Sequence, residues 1–117
     1  MRRMVIVALV VWFFQGLGLG GEPEGMEKAK ATYQNICESC HGPKGDGKGI
    51  TAPTLRTKPK DFANLADKSE DHLFKVTKEG GAAVKLSPLM PAYGSQLSDE
   101  EIRQMVRYVL FLSEAKR

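Results

Sequence analysis

Apolar residues recur at three- and four-residue intervals in three segments of the chain, which is the pattern of amphipathic helices. The first segment covers about residues 26–37, and its apolar face consists of Met26, Ala29, Tyr33 and Ile36 or Cys37. The second covers residues 69–79, where Ser69 can cap the start of a helix and Gly80-Gly81 stops it. No segment has the two-residue alternation that indicates a half-buried strand.

The clearest helical pattern lies near the C-terminal end of the chain. Ser98 and Glu101 have the spacing of a capping box, which marks the start of a helix. The apolar stripe that follows consists of Ile102, Met105, Val106, Val109 and Leu112. Three helical segments without strands predict an all-α fold, and 117 residues suit a single domain.

Two irregular segments separate the first two helices. Residues 42–49 contain four glycines and a proline, so they form a loop. The spacing Gly42-x-x-x-x-Gly47-Lys48 resembles a phosphate-binding loop, but Gly49 replaces the required Ser or Thr and no strand precedes it. We therefore reject nucleotide binding. Residues 50–65 are rich in Pro, Thr and Lys, which predicts irregular structure.

The N-terminal segment, residues 1–21, has the organisation of a signal peptide. Arg2 and Arg3 precede an unbroken apolar run of eleven residues, and Gly18-Leu19-Gly20 offers a cleavage site. An uncleaved anchor is the alternative, but a bilayer span needs about 20 apolar residues, and glycines weaken a helix. We favour cleavage, which leaves residues 22–117 as the exported domain.

The most informative chemistry is in residues 37–41, Cys-Glu-Ser-Cys-His. Cys-x-x-Cys-His is the spacing that attaches haem c, with a thioether from Cys37 and another from Cys40. His41 would then supply one axial ligand of the iron. A redox dithiol would need a preceding strand, and a zinc site would need a second ligand pair. The preceding residues are helical in pattern and the chain has two cysteines in all, so haem is favoured.

The second axial ligand has two main candidates, Met90 and His72. Met90 lies in a loop that Pro88 and Pro91 stiffen, and a weak thioether ligand benefits from a rigid loop. His72 lies on a charged amphipathic helix, where a packed or solvated side chain is the more common role. Met26 and Met105 lie on apolar helix faces, where methionine is usually part of the core. We favour Met90.

The net charge and the size restrict the function further. Without Arg2 and Arg3 the chain has 15 basic and 14 acidic groups, so the formal charge of +3 falls to about +1. A nucleic-acid partner would need a concentrated basic face, so we exclude it. An exported domain of about 95 residues buries only a modest core. We therefore expect haem to supply apolar surface and the apoprotein to be largely unfolded.

These motifs together resemble a class I cytochrome c with one haem. The resemblance covers essentially all of residues 26–117 and rests on Cys37-x-x-Cys40-His41, on residues 90–94, Met-Pro-Ala-Tyr-Gly, and on the capped last helix. It implies a small cytochrome c-type fold of three to four helices around one covalently bound haem, with the first and last helices crossing. By position, Ala29 and Tyr33 should then meet Met105 and Tyr108.

The resemblance also implies roles for residues that surround the haem. Pro53 matches the family's proline whose carbonyl accepts a hydrogen bond from the ligand imidazole, a contact that fixes and strengthens the ligand. A plain loop-shaping role for Pro53 is the alternative. Leu55 and Phe62 are predicted to pack against the haem. Iron ligated by His41 and Met90 would have no open position, which argues against an enzyme.

The expected function is that of an exported, periplasmic or otherwise extracytoplasmic, monomeric electron carrier between redox proteins. It would contact a membrane only if the leader stays uncleaved. The lysines that flank the predicted haem-enclosing loops could orient an acidic redox partner, although scattered lysines more often serve solubility; they are Lys44, Lys48, Lys58, Lys60 and Lys85. One alternative is a cytochrome subunit held permanently in a larger oxidoreductase, for which Leu110 and Phe111 are the only hint. Another is a haem sensor whose Met90 dissociates easily.

Overall fold

The computed structural model describes residues 25–115, and every regular element within them is helical. The α-helices are α1 (Met26–Ile36), α2 (Glu38–His41), α3 (Glu70–Glu79) and α4 (Asp99–Glu114). Three short 3₁₀ turns, Ala52–Thr54, Phe62–Asn64 and Gly81–Val84, lie in the connections. The all-α prediction is confirmed. The predicted signal peptide lies outside the described residues.

The ends of the helices follow from local capping. The Ser69 hydroxyl accepts a hydrogen bond from the His72 amide at 3.1 Å and starts α3, which ends at Gly80 with φ of 87°. At α4 the Ser98 hydroxyl accepts from the Glu101 amide at 3.1 Å, and the Glu101 carboxylate accepts from the Ser98 amide at 3.2 Å. The capping box predicted from the sequence is therefore present.

The core lies where α1 crosses α4. Tyr33 is fully buried, and its ring meets that of Tyr108 edge-on at 5.3 Å between centroids. Ala29 and Met105 belong to the same buried cluster, which confirms the crossing that the resemblance implied. The other buried members of the cluster are Phe62, Leu65, Leu73, Val106 and Leu112. This packing fixes the C-terminal end of α1, from which the haem-attachment motif continues.

Helix α3 packs against α4 and carries the following loop. Arg103 lies 4.8 Å from the centre of the Phe74 ring, and Lys78 pairs with Asp99 at 2.8 Å. Leu110 and Phe111, the two residues considered for an external interface, pack against the core cluster and are half-buried. None of the helices within residues 25–115 combines the length and the apolar character of a membrane span.

Candidate haem site

The attachment segment is a single helical turn that continues from α1 after a break at Cys37. Helix α1 ends at Ile36, and Cys37 then serves as the N-cap of α2. The amides of Cys40 and His41 both donate to the Cys37 carbonyl, at 3.2 and 2.9 Å. The turn therefore holds both thiols and the imidazole close together, and both cysteines are free and half-buried.

Burial controls the protonation of this segment. It raises the pKa of the Cys37 thiol to about 12, and the neighbouring Cys40 adds to the rise. It lowers the pKa of His41, and a hydrogen bond from the ring to the Lys60 carbonyl opposes that change. The imidazole is therefore neutral at ordinary pH, which is the form that binds a metal.

Two contacts fix the orientation of the His41 ring. Its Nδ1 atom lies 3.2 Å from the carbonyl oxygen of Lys60, and its face stacks on Phe62 with centroids 4.8 Å apart and planes 27° apart. A hydrogen bond at Nδ1 fixes the tautomer and leaves Nε2 as the nitrogen that can bind iron. Phe62 is 6% exposed and also contacts Tyr33 edge-on, so the ring that supports His41 belongs to the core.

The carbonyl next to the His41 ring is that of Lys60, whereas the prediction named Pro53. Pro53 is exposed in the turn Ala52–Thr54, and the carbonyl next to Nδ1 is that of Lys60, seven residues further on. A role for Pro53 beside the haem stays a prediction. The chain reaches this point because Pro59 precedes Lys60 and the Phe62 amide donates to the Gly45 carbonyl at 2.8 Å. These features bring residues 59–62 alongside His41. Leu55 is half-buried, and its contact with the haem stays a prediction.

The glycine loop after His41 folds back over the attachment segment. The Gly47 amide donates to the His41 carbonyl at 2.8 Å, and the Gly49 amide to the Cys40 carbonyl at 3.1 Å. A Cβ atom on Gly49 would overlap the backbone carbonyl of Ser39, so only glycine fits there. From the core side, the Tyr33 hydroxyl donates to the Gly42 carbonyl at 2.6 Å. The segment is thus held from both sides.

Thr51 is a member of the site that sequence reasoning missed. Its hydroxyl donates to the Ser39 carbonyl at 2.7 Å and lies 3.4 Å from the Cys40 sulfur. Its amide also donates to Ser39, at 2.9 Å. No sequence pattern indicates that a threonine eleven residues beyond Cys40 contacts it. The contact exists because the glycine loop folds back over residues 39 and 40 and brings Thr51 next to them.

Met90 lies in a loop that is docked on the C-terminal end of α3. The Gly81 amide donates to the Met90 carbonyl at 3.0 Å, and the Met90 amide donates to the Ser87 carbonyl at 3.3 Å. The Met90 side chain is half-buried. His72, the other candidate ligand, is half-buried in the first turn of α3. Backbone hydrogen bonds thus hold the loop that contains Met90, and the ligation of iron by Met90 stays a prediction.

Tyr93 joins the Met90 loop to the attachment segment, and it too was missed. Its hydroxyl donates to the Ile36 carbonyl at 3.2 Å, one residue before Cys37. Burial, and then the nearby Cys37 and Cys40, raise the pKa of Tyr93, so its hydroxyl stays protonated. The two segments that would ligate iron are therefore connected directly, although the sequence separates them by about fifty residues.

The donor set has the composition that covalent haem attachment requires. Two free thiols within one helical turn can each form a thioether, and the adjacent imidazole presents Nε2 with its other nitrogen already bonded. The residues present therefore fit haem c.

Comparison with known families agrees with this chemistry. The family model described as cytochrome C oxidase, cbb3-type, subunit III matches residues 24–109, which is most of the chain and includes Cys37, His41 and Met90. A search of curated proteins finds no significant match. The matched range contains all of the helices except the end of α4.

Proposed function

Because the chain belongs to the family of cytochrome C oxidase, cbb3-type, subunit III, and is thus a c-type cytochrome with covalently bound haem c, we propose that it is an exported single-haem electron carrier. The haem supplies the Fe(II)/Fe(III) couple, and the chain has one Cys-x-x-Cys-His motif to attach it. The carrier would pass single electrons between redox proteins outside the cytoplasm. It would not itself catalyse a reaction.

The observation that carries this proposal is the geometry of His41. The Lys60 carbonyl and the Phe62 ring fix the imidazole, and the segment that bears it also presents two thiols. A ligand held in one orientation changes little between the oxidised and reduced states, which favours electron transfer. Met90 is the proposed second ligand, because its loop is fixed by hydrogen bonds to the end of α3. With both positions filled, iron would have no open site for a substrate.

The first test is the absorption spectrum of the purified holoprotein in both oxidation states. A haem c spectrum with a weak far-red sulfur-to-iron band is expected in the oxidised protein. Met90→Ala should abolish that band, whereas Met26→Leu and His72→Ala should retain it. Loss of the band in His72→Ala alone would refute ligation by Met90. A protein without covalent haem would refute the whole proposal.

The family match supports a second candidate, a cytochrome subunit held in a larger oxidase complex. The description of the matching family names a subunit of a cbb3-type oxidase. The described residues offer little apolar surface for such an interface on α4, because Leu110 and Phe111 pack against the core. The large apolar side chains that are most exposed are instead in loops, and they are Ile50, Leu86 and Leu89.

Native size-exclusion chromatography of a mild-detergent extract distinguishes the two candidates. A free carrier elutes at the size of a small single domain, with its haem absorbance in that fraction. A subunit elutes together with a large fraction that has oxidase activity. Ile50→Ser, at a side chain that is 90% exposed, should shift the haem from the large fraction to the small one only if this loop contacts the complex.

A further inference from the structure

We propose that Tyr93 is a positioning residue that holds the Met90 loop against the haem-attachment segment and so slows the departure of Met90 from iron. This inference rests on the proposed ligation by Met90. It assigns to the Tyr93 hydroxyl a role in ligand retention that is separate from the stability of the fold. The hydrogen bond between Tyr93 and Ile36, 57 positions apart in sequence, is the central observation.

The acceptor of this bond lies next to the haem-attachment motif. Ile36 is the last residue of α1, and the carbonyls of a final helical turn lack partners within the helix. The helix does not continue regularly into α2, because the Cys40 amide donates to Cys37. The Tyr93 hydroxyl supplies a donor for the Ile36 carbonyl at 3.2 Å. The tyrosine therefore contacts the backbone one residue before the first thioether.

The donor is held in place from the opposite side by the backbone of its own loop. The Tyr93 amide donates to the Thr77 carbonyl and the Gly94 amide to the Lys78 carbonyl, both at 3.0 Å. These bonds fix the loop to the last turn of α3, which in turn pairs with α4 through Lys78 and Asp99. The Tyr93 side chain thus connects a fixed loop to the attachment segment.

The bond between Tyr93 and Ile36 restricts how far the Met90 loop can move from the haem-attachment segment. Met90 is three residues before Tyr93, so the loop cannot move Met90 far from iron without straining or breaking the bond to Ile36. Two independent attachments then retain the loop, one to α3 through its backbone and one to α1 through Tyr93. Without the hydroxyl, the backbone bonds alone remain. The open form of the loop should become more populated, while the helical core is unchanged.

Tyr93→Phe in the full-length holoprotein tests this role, with carbon monoxide as the probe of the reduced form. Removing one hydrogen bond should raise the population of the open form about fivefold. Carbon monoxide should then bind faster by about the same factor. In the oxidised form, the far-red band should be lost at a lower denaturant concentration than global unfolding, measured by far-UV circular dichroism.

Tyr33→Phe is the matched control. It also removes a tyrosine hydroxyl that donates to a backbone carbonyl, that of Gly42 at 2.6 Å, but on the His41 side of the segment. It should lower the midpoint of global unfolding without accelerating carbon monoxide binding. Equal rates in wild type and Tyr93→Phe, or equal acceleration in both variants, would overturn the positioning role.

These measurements distinguish a failure of the proposed ligation by Met90 from a failure of the positioning role of Tyr93. A wild-type protein that has haem c but lacks the far-red band at neutral pH would refute ligation by Met90, and the positioning role with it. A wild-type protein with the band, together with an inert Tyr93→Phe variant, would refute the positioning role alone.

Discussion

Individual residues at the site act mainly through backbone atoms, and this limits what the sequence could predict. The motif identified Cys37, Cys40 and His41 because their side-chain chemistry is specific. The partner of the His41 ring is a carbonyl, which every residue has, so nothing in the sequence distinguished Lys60 from Pro53. The position of Pro53 matched the family pattern, but the return of the chain at residues 59–62 determined which carbonyl is close.

Phe62 provides a direct test of how His41, the proposed axial ligand, is supported. Phe62→Ala should lower the free energy of unfolding of the holoprotein by about 3–5 kcal/mol, because a buried aromatic ring is removed. Lys60→Ala should change it by less than about 0.5 kcal/mol, because the exposed side chain leaves and the carbonyl that contacts His41 remains. Denaturant titration measures both. A larger loss in Lys60→Ala than in Phe62→Ala would contradict this assignment.

Gly49 tests how closely the glycine loop covers the attachment segment. In Gly49→Ala the new methyl group would overlap the Ser39 carbonyl and lie 2.6 Å from the Glu38 carbonyl, and these backbone atoms cannot move independently of the motif. We expect a loss of about 1–3 kcal/mol in the free energy of unfolding, and less haem attached per chain. Pyridine haemochrome absorbance per mole of protein measures the latter.

Gly25→Ala is the control for this substitution. Gly25 also adopts a conformation that favours glycine, with φ of 86°, but no atom lies within 4 Å of its added Cβ. Gly25→Ala should therefore lower the free energy of unfolding through backbone strain but leave the haem content per chain unchanged. If both variants had the same haem content, close packing of the loop would not matter for attachment.

The elements differ in how well they could be predicted, and the reason is length. Helices α1, α3 and α4 contain several turns of apolar periodicity and, in α3 and α4, a serine cap, so their predicted positions agree with the structure within about two residues. Helix α2 and the 3₁₀ turns are three or four residues long, too short to show any period. Cys40, His41 and Phe62 lie in these short elements, whose conformation depends on tertiary contacts and not on a local sequence pattern.

The capping box of α4 gives a prediction about pH. Hydrogen bonds from the Ser98 amide and hydroxyl lower the pKa of Glu101 below its usual value, and Lys28 contributes in the same direction. The folded state thus favours the carboxylate, so its stabilising effect is present above the unfolded pKa of about 4.5 and is lost as pH falls through the lower folded value. Wild type should lose more stability between about pH 6 and pH 3 than Glu101→Gln does.

Glu100→Gln separates the capping box from the general charge effect of the helix. It removes the same charge from the same first turn of α4 but leaves the bonds between Ser98 and Glu101 intact. The midpoint of denaturant unfolding is measured at several pH values. In Glu100→Gln it should vary with pH as in the wild type, whereas in Glu101→Gln it should vary less. Parallel curves for the two variants would assign the effect to the helix dipole instead.

In the whole molecule, the haem-attachment segment packs against one side of the helical core, where it contacts Phe62 and Tyr33. The buried cluster lies among α1, α3, α4 and the turn at Phe62, whereas α2 buries none of its residues. The crossing of α1 and α4 was predictable from the family resemblance, since Tyr33 and Tyr108 matched its positions. The hydrogen bond from Tyr93 to Ile36 could not be predicted, because residues 57 positions apart share no local sequence pattern.

The small size of the core determines how folding should depend on haem. Residues 25–115 form a small domain, and a small domain buries a smaller fraction of its surface on folding than a large one does, so its own core gives limited stability. The cofactor binds the folded chain and adds its binding free energy to that stability.

The double variant Cys37→Ser with Cys40→Ser cannot form either thioether, while its helical sequence is otherwise unchanged. We expect its far-UV circular dichroism at 222 nm to fall well below that of the holoprotein, without a cooperative thermal transition. Wild-type helix content and cooperative unfolding in this variant would mean that α1, α3 and α4 fold without the cofactor.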